Sequence, residues 1–151
     1  MQFKTRERYS MRMMMSIATL SSPNTPVGLG QVSKHSGISR KYLEQLVLPL
    51  RNAALIHATA GRDGGYCLAK EPEKILLGDI LRAAVGKIAV TDCAIGEENC
   101  NKGMHCNCKA LWTLINHRIL ETLNEHSLSD LLRNDWGCLV EKQMKPRGKN
   151  E

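Results

Sequence analysis

The chain has 151 residues and a formal net charge of +6, and 42% of its residues are hydrophobic and 24% charged. This composition predicts one domain with a real apolar core and a modest appendage. The sequence has no run of about 18 apolar residues, which excludes a membrane-spanning helix. The positive charge suits a polyanionic partner such as nucleic acid, although an excess of this size is also common in proteins without one.

The N-terminal segment places basic residues ahead of a short apolar run at 13–18, an order that secretory signal peptides share. This run is brief, contains Ser16, and is not followed by a clean small-x-small cleavage site. An amphipathic helix is therefore the favoured interpretation. We expect a cytoplasmic protein whose six cysteines serve as ligands or free thiols rather than as disulfides.

Hydrophobic periodicity predicts a first helix over residues 4–20 and a short second helix over residues 29–36. A loop with two prolines separates them. Gly37 stands where a left-handed turn would end the second helix, and Ser39 stands at the N-cap of the next. This order of helix, tight turn and helix predicts a helix-turn-helix.

The helix after Ser39 presents polar residues opposite its leucines, and the first turns of such a helix enter the DNA major groove. Arg40 and Lys41 can hold phosphates or guanine edges. Gln45 can read adenine, and Glu44 can accept a hydrogen bond from cytosine N4. The alternative is an ordinary solvated helix face.

Two short strands at 55–59 and 66–69 flank a glycine-rich turn, which predicts a β-hairpin. A hairpin after a helix-turn-helix is the wing of a winged helix, and Arg62 lies at its tip, where a DNA minor groove would be. The alternative for the hairpin is a plain surface turn.

The remaining elements are a helix over residues 77–85, an irregular stretch over 87–108, and the longest helix over 109–126. The apolar arc of the longest helix is wider than one packing face requires, which indicates a second buried surface such as a partner helix. A short helix begins near Ser127, and the tail is predicted to be disordered.

Four cysteines, Cys93, Cys100, Cys106 and Cys108, lie in this irregular stretch. Clustered thiols in a reducing compartment favour metal binding. Zinc sites usually contain Cys-x-x-Cys pairs, which are absent here, whereas thiolates on a glycine-containing loop can surround an iron–sulfur cluster. The spacing favours a cluster and leaves a zinc site and a thiol redox switch open. His105 lies between two candidate ligands.

Taken together, residues 1–132 resemble the IscR–NsrR–RirA family of winged-helix iron–sulfur regulators. The matching segments are Tyr42-Leu43-Glu44-Gln45-Leu46, Pro49-Leu50-Arg51, Gly64-Gly65-Tyr66, Gly78-Asp79-Ile80, Leu111-Trp112 and Leu128-Ser129-Asp130-Leu131, together with three cysteines. The resemblance implies a homodimer joined by the long helix, and a 2Fe–2S or 4Fe–4S cluster on Cys93, Cys100 and Cys106. It also implies that Ser39, Glu44 and Gln45 read DNA.

The chain departs from this family at the wing and at the fourth cluster ligand. Ala60 replaces the arginine that commonly precedes the first wing glycine, and Arg62 is the nearest substitute. Where some members have a ligating histidine three residues after the third cysteine, this chain has Lys109. Other members use an Asp or Glu near the eighth residue of the opposite subunit, and this chain has Arg8 there, with Glu7 beside it. Thiolate suits iron best, so Cys108 is the first choice, followed by Glu7 and His105.

The predicted fold is therefore mainly α with a small β-hairpin, a winged helix-turn-helix plus a long dimerisation helix. Its predicted parts are a DNA-binding domain (1–86), a cluster-binding loop (87–108), a dimerisation helix with a C-terminal helix (109–135) and a disordered tail (136–151).

The predicted function is a transcription regulator that senses iron, redox or nitric oxide status. It would bind double-stranded DNA as a homodimer, with no membrane partner, no small-molecule substrate and no enzymatic activity. One alternative is a cluster-free winged-helix regulator that uses thiols or a partner protein. An alternative of another class is an iron–sulfur electron carrier, which needs no DNA-binding face.

Overall fold

A computed structural model describes residues 3–23, 25–94 and 106–144, which are mainly helical with one two-stranded antiparallel hairpin. The helices are α1 (Thr5–Leu20), α2 (Leu29–Ser36), α3 (Arg40–Asn52), α4 (Leu77–Val85), α5 (Asn107–Glu125), α6 (Leu128–Leu132) and α7 (Trp136–Met144). The strands are β1 (Ile56–Thr59) and β2 (Gly65–Leu68), and short 3-10 turns occupy Pro72–Lys74 and Asp92–Ala94. The predicted fold class is confirmed.

Aliphatic and methionine side chains form the core, since aromatic residues make up only 4% of the chain. Side chains that are fully buried include Met13, Met14, Ile17, Leu43, Leu46, Leu50, Ile80 and Leu128. They come from α1, α3, α4 and α6, so one core joins the N-terminal helices to the C-terminal ones. Burial of each large side chain contributes roughly 1.5–3 kcal/mol.

The turn between α2 and α3 has the chemistry that the sequence predicts. Gly37 ends α2 with φ +70°, a left-handed conformation that glycine adopts without steric cost. Ser39 is the N-cap of α3, and its Oγ accepts a hydrogen bond from Tyr42 N at 3.3 Å. Ser33 Oγ donates to Ile38 O at 2.7 Å and fixes the turn from the α2 side.

The wing, residues 55–69, is joined to the body through a third segment. Val27 exchanges two backbone hydrogen bonds of 2.9 Å with Tyr66 of β2. A Cβ atom at Gly65 would lie 2.5 Å from Val27 O, so only glycine permits this approach. At Gly64 a Cβ would overlap Thr59 O. These two glycines therefore fix where the wing sits on the body.

Helix α5 is held to the winged helix at its C-terminal end. Leu77 N donates to His126 O at 3.0 Å, and Leu128 N donates to Ile75 O at 2.8 Å. Gly78 of α4 lies against the side chain of Asn124 without room for a Cβ. Within residues 3–23, 25–94 and 106–144, no helix is both long and apolar enough to cross a lipid bilayer.

The predicted disordered tail is wrong for residues 136–144, which form α7, and residues 145–151 lie outside the described part of the chain. Trp136 packs edge-on against His126 with ring centroids 4.7 Å apart, which attaches α7 to the end of α5. Half-buried Leu139 and Val140 follow. This apolar stretch is too short to give a clear periodic pattern, and Cys138 lies within the helix.

Candidate DNA interface and cysteine segment

Helix α3 has a polar face made of Arg40, Lys41, Glu44 and Gln45, and all four residues are exposed. Leu43, Leu46 and Leu50 hold the opposite face in the core. This is the separation that 3.6-residue periodicity produces. The structure thus brings the four sequence-predicted residues onto one accessible surface.

Two residues of this polar face are paired with each other. Arg40 Nε donates to Glu44 Oε1 at 3.2 Å, one turn along the helix, and the two side chains are 70% and 55% exposed. An exposed pair at this spacing is worth only about 0.3–0.5 kcal/mol. A phosphate or a base edge can therefore replace the partner of either residue at little cost.

The side chain of Ser39 stabilises the start of α3, because its Oγ accepts the hydrogen bond that caps this helix. The residue is exposed, so its hydroxyl hydrogen remains available to an outside acceptor. The backbone N–H groups at the start of a helix also favour an anion such as phosphate.

The tip of the wing is exposed from Ala60 to Asp63, and Arg62 lies within it. Gly61 has φ +118°, a conformation that side-chain-bearing residues rarely adopt, so the tip depends on glycine there. Arg62 is carried on a hairpin separate from α3. The structure thus leaves two sequence-predicted elements exposed, the polar face of α3 and the tip of the wing.

Contacts from α1 to the helix-turn-helix were not predicted from the sequence. Tyr9 packs edge-on against Tyr42 of α3, with ring centroids 5.2 Å apart. His35 Nδ1 lies 2.9 Å from Ser16 Oγ, which links α2 to α1. The helical pattern of residues 4–20 indicates that Tyr9 points inward, but it does not indicate which residue Tyr9 contacts.

The cysteine segment, residues 87–108, is described only at its two ends. Cys93 lies in the Asp92–Ala94 turn and is half-buried, and Cys106 is half-buried directly before α5. Cys108 is exposed in the first turn of α5. Cys100 and His105 lie outside the described residues. Among the residues that are described, no three potential metal ligands come together.

The first end of this segment is attached to α5. Cα atoms of the Asp92–Ala94 turn lie within 8 Å of Cα atoms of α5. Val90 N donates to Asn116 Oδ1 at 3.0 Å, and Thr91 Oγ1 lies 3.1 Å from Cys93 Sγ. Cysteine thiolates are the donors that iron–sulfur clusters take, so the donor chemistry at both ends fits such a cluster.

Glu7 of α1 carries a carboxylate oxygen, Oε2, that is closed off from solvent and lacks a hydrogen-bond partner in the described part of the chain. It lines a cavity of about 410 Å³ with Phe3, Lys87 and Val90, beside the start of the cysteine segment. Buried polar atoms are nearly always partnered, so this oxygen is suited to an additional donor or ligand.

Apolar side chains of α5 remain uncovered in the single chain. Leu111, Trp112 and Leu114 are 51%, 38% and 54% exposed. Large apolar side chains clustered on one helix commonly mark an interaction surface. Across α5, which is described throughout, Asn116 is the one buried residue.

Comparisons with known proteins agree with this architecture. IscR of Sodalis glossinidius, an HTH-type transcriptional regulator, is 35% identical over 135 residues, which cover 89% of this chain and 81% of that protein. The structure of CymR, the global cysteine regulator of B. subtilis, has a TM-score of 0.74 at 32% identity, covering 87% of this chain and 95% of CymR. IscR of T. potens has a TM-score of 0.72 at 29% identity, covering 98% and 94%.

The Rrf2 family profile, described as an iron-dependent transcriptional regulator, matches residues 3–134. This match spans the helix-turn-helix, the wing, the cysteine segment and α5. The chain therefore belongs to the Rrf2 family of transcriptional regulators and has the winged-helix fold of IscR and CymR.

Proposed function

We propose that this regulator senses iron, redox or nitric oxide status through an iron–sulfur cluster on Cys93, Cys100 and Cys106. The observation that carries the proposal is the placement of thiols at both ends of a segment attached to α5. Cys93 lies in a turn that packs on α5, and Cys106 directly precedes this helix. A cluster bound by both cysteines would therefore be connected to α5 in two ways, through the Asp92–Ala94 turn and through the residue that precedes the helix.

The proposed partner is double-stranded DNA in the cytoplasm. The polar face of α3 enters the major groove, and Arg62 at the wing tip reaches the adjacent minor groove. Residues 1–86 form the DNA-binding domain in this proposal. The chain has no catalytic role in it, since the proposed activity is binding alone.

The proposed assembly is a homodimer through α5, the long helix of the predicted dimerisation unit (109–135). Leu111, Trp112 and Leu114 leave apolar surface on this helix that a second copy would cover. These side chains are already about half buried, so covering the rest would contribute roughly half of the 1.5–3 kcal/mol that full burial of a large apolar side chain gives. The two α3 helices of a dimer would then read half-sites about 34 Å apart.

The proposed switch is the gain or loss of a cluster by the loop from Asp92 to Cys108. A bound cluster would tie the cysteines together through thiolate–iron bonds, and it would be lost to oxidants or nitric oxide or not assembled when iron is short. Cys93 and Cys106 hold the two ends of the segment, and Val90 transmits the position of the first end to α5 through its hydrogen bond. A shift of α5 changes the relative placement of two α3 helices in a dimer.

For the fourth ligand we favour Cys108, two residues after Cys106, because thiolate suits iron best. Glu7 is the competing ligand because its Oε2 lacks a partner within the described residues. His105 is the third candidate. The 2Fe–2S and 4Fe–4S forms both suit this set of residues.

The test is purification without oxygen, followed by a visible spectrum and by iron and sulfide analysis. DNA binding is then measured by mobility shift on sites that the protein selects from a random pool, before and after cluster removal. We expect a coloured protein whose affinity changes on removal. A colourless, iron-free protein with full DNA affinity would contradict the sensing part.

A second candidate function is a cluster-free regulator that senses through thiols or a partner protein, favoured by the likeness to CymR, a cysteine regulator. In that case the wild-type protein contains no iron, and replacing Cys93, Cys100 and Cys106 by Ala does not change its iron content. An iron–sulfur electron carrier, the alternative of another class, would keep its iron and show no selected DNA site.

A further inference from the structure

Asn116 occupies an unusual position on α5. It is 8% exposed, the one buried residue of this fully described helix, and it is polar. Apolar neighbours on the same helix, such as Leu111 and Leu114, are half exposed. A buried amide is unfavourable unless it is hydrogen-bonded, so its position calls for a specific partner.

That partner is the backbone at the start of the cysteine segment. Asn116 Oδ1 accepts from Val90 N at 3.0 Å, across 26 residues of sequence. Val90 lies between α4 and the Asp92–Ala94 turn, three residues before Cys93. One side chain of α5 therefore sets where the chain runs as it approaches Cys93.

A second contact acts on the sulfur itself. Thr91 Oγ1 lies 3.1 Å from Cys93 Sγ, and either atom can be the donor in the free thiol. A metal-bound thiolate has no proton to give, so the threonine hydroxyl would then be the donor. Hydrogen bonds to ligating sulfur orient the ligand and raise the reduction potential of a cluster.

We infer that Asn116 and Thr91 are positioning residues for Cys93, which present its sulfur to the cluster and connect cluster occupancy to α5. The inference rests on the proposed function for its cluster, and on hydrogen bonds of this chain for its geometry. Asn116 acts on the backbone, and Thr91 acts on the sulfur.

The Asn116 arm compares two variants. Asn116→Leu keeps the branched shape of the side chain and removes the acceptor, whereas Asn116→Asp keeps an acceptor oxygen and should retain the hydrogen bond from Val90 N. In the metal-free protein, amide hydrogen exchange at Val90 should be faster in Asn116→Leu alone. In the cluster-loaded protein, bleaching by an iron chelator should be roughly tenfold faster in Asn116→Leu.

The matched control is Asn124→Ala on the same helix, because a larger side chain at this position would clash with Gly78. Asn124 Oδ1 also accepts an interhelical hydrogen bond, from Arg82 Nη2 at 3.2 Å, but it does not bind the cysteine segment. Its bleaching rate should equal that of the wild type. Circular dichroism checks folding, and Asn116→Ser, too short to reach Val90 N, replaces Asn116→Leu if that variant does not fold.

The Thr91 arm measures a property that packing alone does not move. Thr91→Val removes the hydroxyl with little change of shape and should shift the cluster midpoint potential to a more negative value. Thr91→Ser retains the hydroxyl and should restore the potential. Thr19→Val is the control, because Thr19 Oγ1 bonds only within α1, to Met15 O at 2.9 Å.

The outcomes separate the inference from the proposed function. A wild-type protein that takes up no cluster overturns the proposed function. In that case, amide hydrogen exchange at Val90 in the metal-free protein still tests whether Asn116 holds the backbone before Cys93. A cluster that bleaches equally fast in wild type and Asn116→Leu overturns the inference while the proposed function stands. An unchanged potential in Thr91→Val overturns the role of Thr91.

Discussion

Arg40 Nε lies 3.2 Å from Glu44 Oε1, so the first cation of α3 is paired with a carboxylate of the same helix. Both side chains point into solvent on the face proposed to read DNA. The carboxylate therefore opposes indiscriminate phosphate binding while leaving Arg40 free to exchange partners. Repulsion of poor sites is a recognised route to specificity.

Glu44→Ala tests this relationship. We expect tighter binding to random-sequence DNA, because a negative charge leaves the interface, and a loss of about 1–3 kcal/mol of discrimination at the position that Glu44 reads. Mobility shifts on the selected site and on single-base variants measure both. Glu71→Ala, which removes an exposed glutamate paired with Lys74, should change neither. Unaltered discrimination in Glu44→Ala would contradict a reading role.

Substitutions of Arg62 test whether the tip of the wing contacts DNA. Arg62→Ala should reduce the slope of log affinity against log salt by about 0.9, the value for one lost phosphate contact. Arg62→Lys should keep the slope and lose any preference for a narrow A·T-rich minor groove. Arg133→Ala, which removes an exposed arginine paired with Asp135, provides the comparison. A salt slope that Arg62→Ala leaves intact would place the wing tip away from DNA.

Variants at five positions test which residues bind the cluster. Replacement of Cys93, Cys100 or Cys106 by Ala should abolish iron binding, because each removes a proposed thiolate ligand. Cys108→Ser and Glu7→Gln then test the first two candidates for the fourth ligand, since only loss of the true ligand should change the visible spectrum of the loaded protein. A spectrum that is unchanged in both variants leaves His105. Retention of a full cluster after loss of any one of the first three cysteines would refute that assignment.

Ala54, just after α3, has φ +52°, in the left-handed region that favours glycine. Replacing Ala54 by glycine relieves a strain of about 1–2 kcal/mol. This gain is partly offset because glycine makes the unfolded chain more flexible. We expect Ala54→Gly to raise the free energy of unfolding by about 0.5–1 kcal/mol, measured in urea at fixed protein concentration. Ala53→Gly, at φ −80°, should lower it. Equal effects at the two positions would rule out strain at Ala54.

Asp130 makes α6 sensitive to acid. Ser127 N donates to Asp130 Oδ2 at 2.8 Å, and this hydrogen bond lowers the pKa of the carboxyl below its usual value. A lowered pKa stabilises the folded state fully above the unfolded-state pKa, and this contribution is lost as pH falls through the folded-state pKa. Asp130→Ala should therefore cost about 1 kcal/mol at neutral pH.

Urea unfolding from neutral pH down to pH about 2 measures this dependence, and the difference between wild type and Asp130→Ala should shrink below the usual carboxyl pKa. Asp63→Ala, at the exposed wing tip, controls for loss of a surface charge. A difference that stays constant across this range would show that the charge of Asp130 does not stabilise α6.

Local chemistry explains why so much of the fold was predictable. Gly37 and Ser39 specify a helix end and a helix start through their own backbone and side-chain preferences, and the structure has both. The leucines of α3 repeat at the helical period, which placed its polar face correctly. The predicted helices over residues 29–36 and 77–85 coincide with α2 and α4 for the same reason.

Sequence alone determined the elements, the polarity of their faces and the presence of a thiol-rich segment, because each follows from residues within one or two turns of each other. Only the tertiary structure decided that Asn116 accepts from Val90, that Tyr9 meets Tyr42, and that Trp136 starts a helix by packing on His126. Such contacts join groups that are apart in the sequence, and their separation along the chain does not determine how close they come in space. Packing of the whole core selects them, and no local pattern encodes that choice.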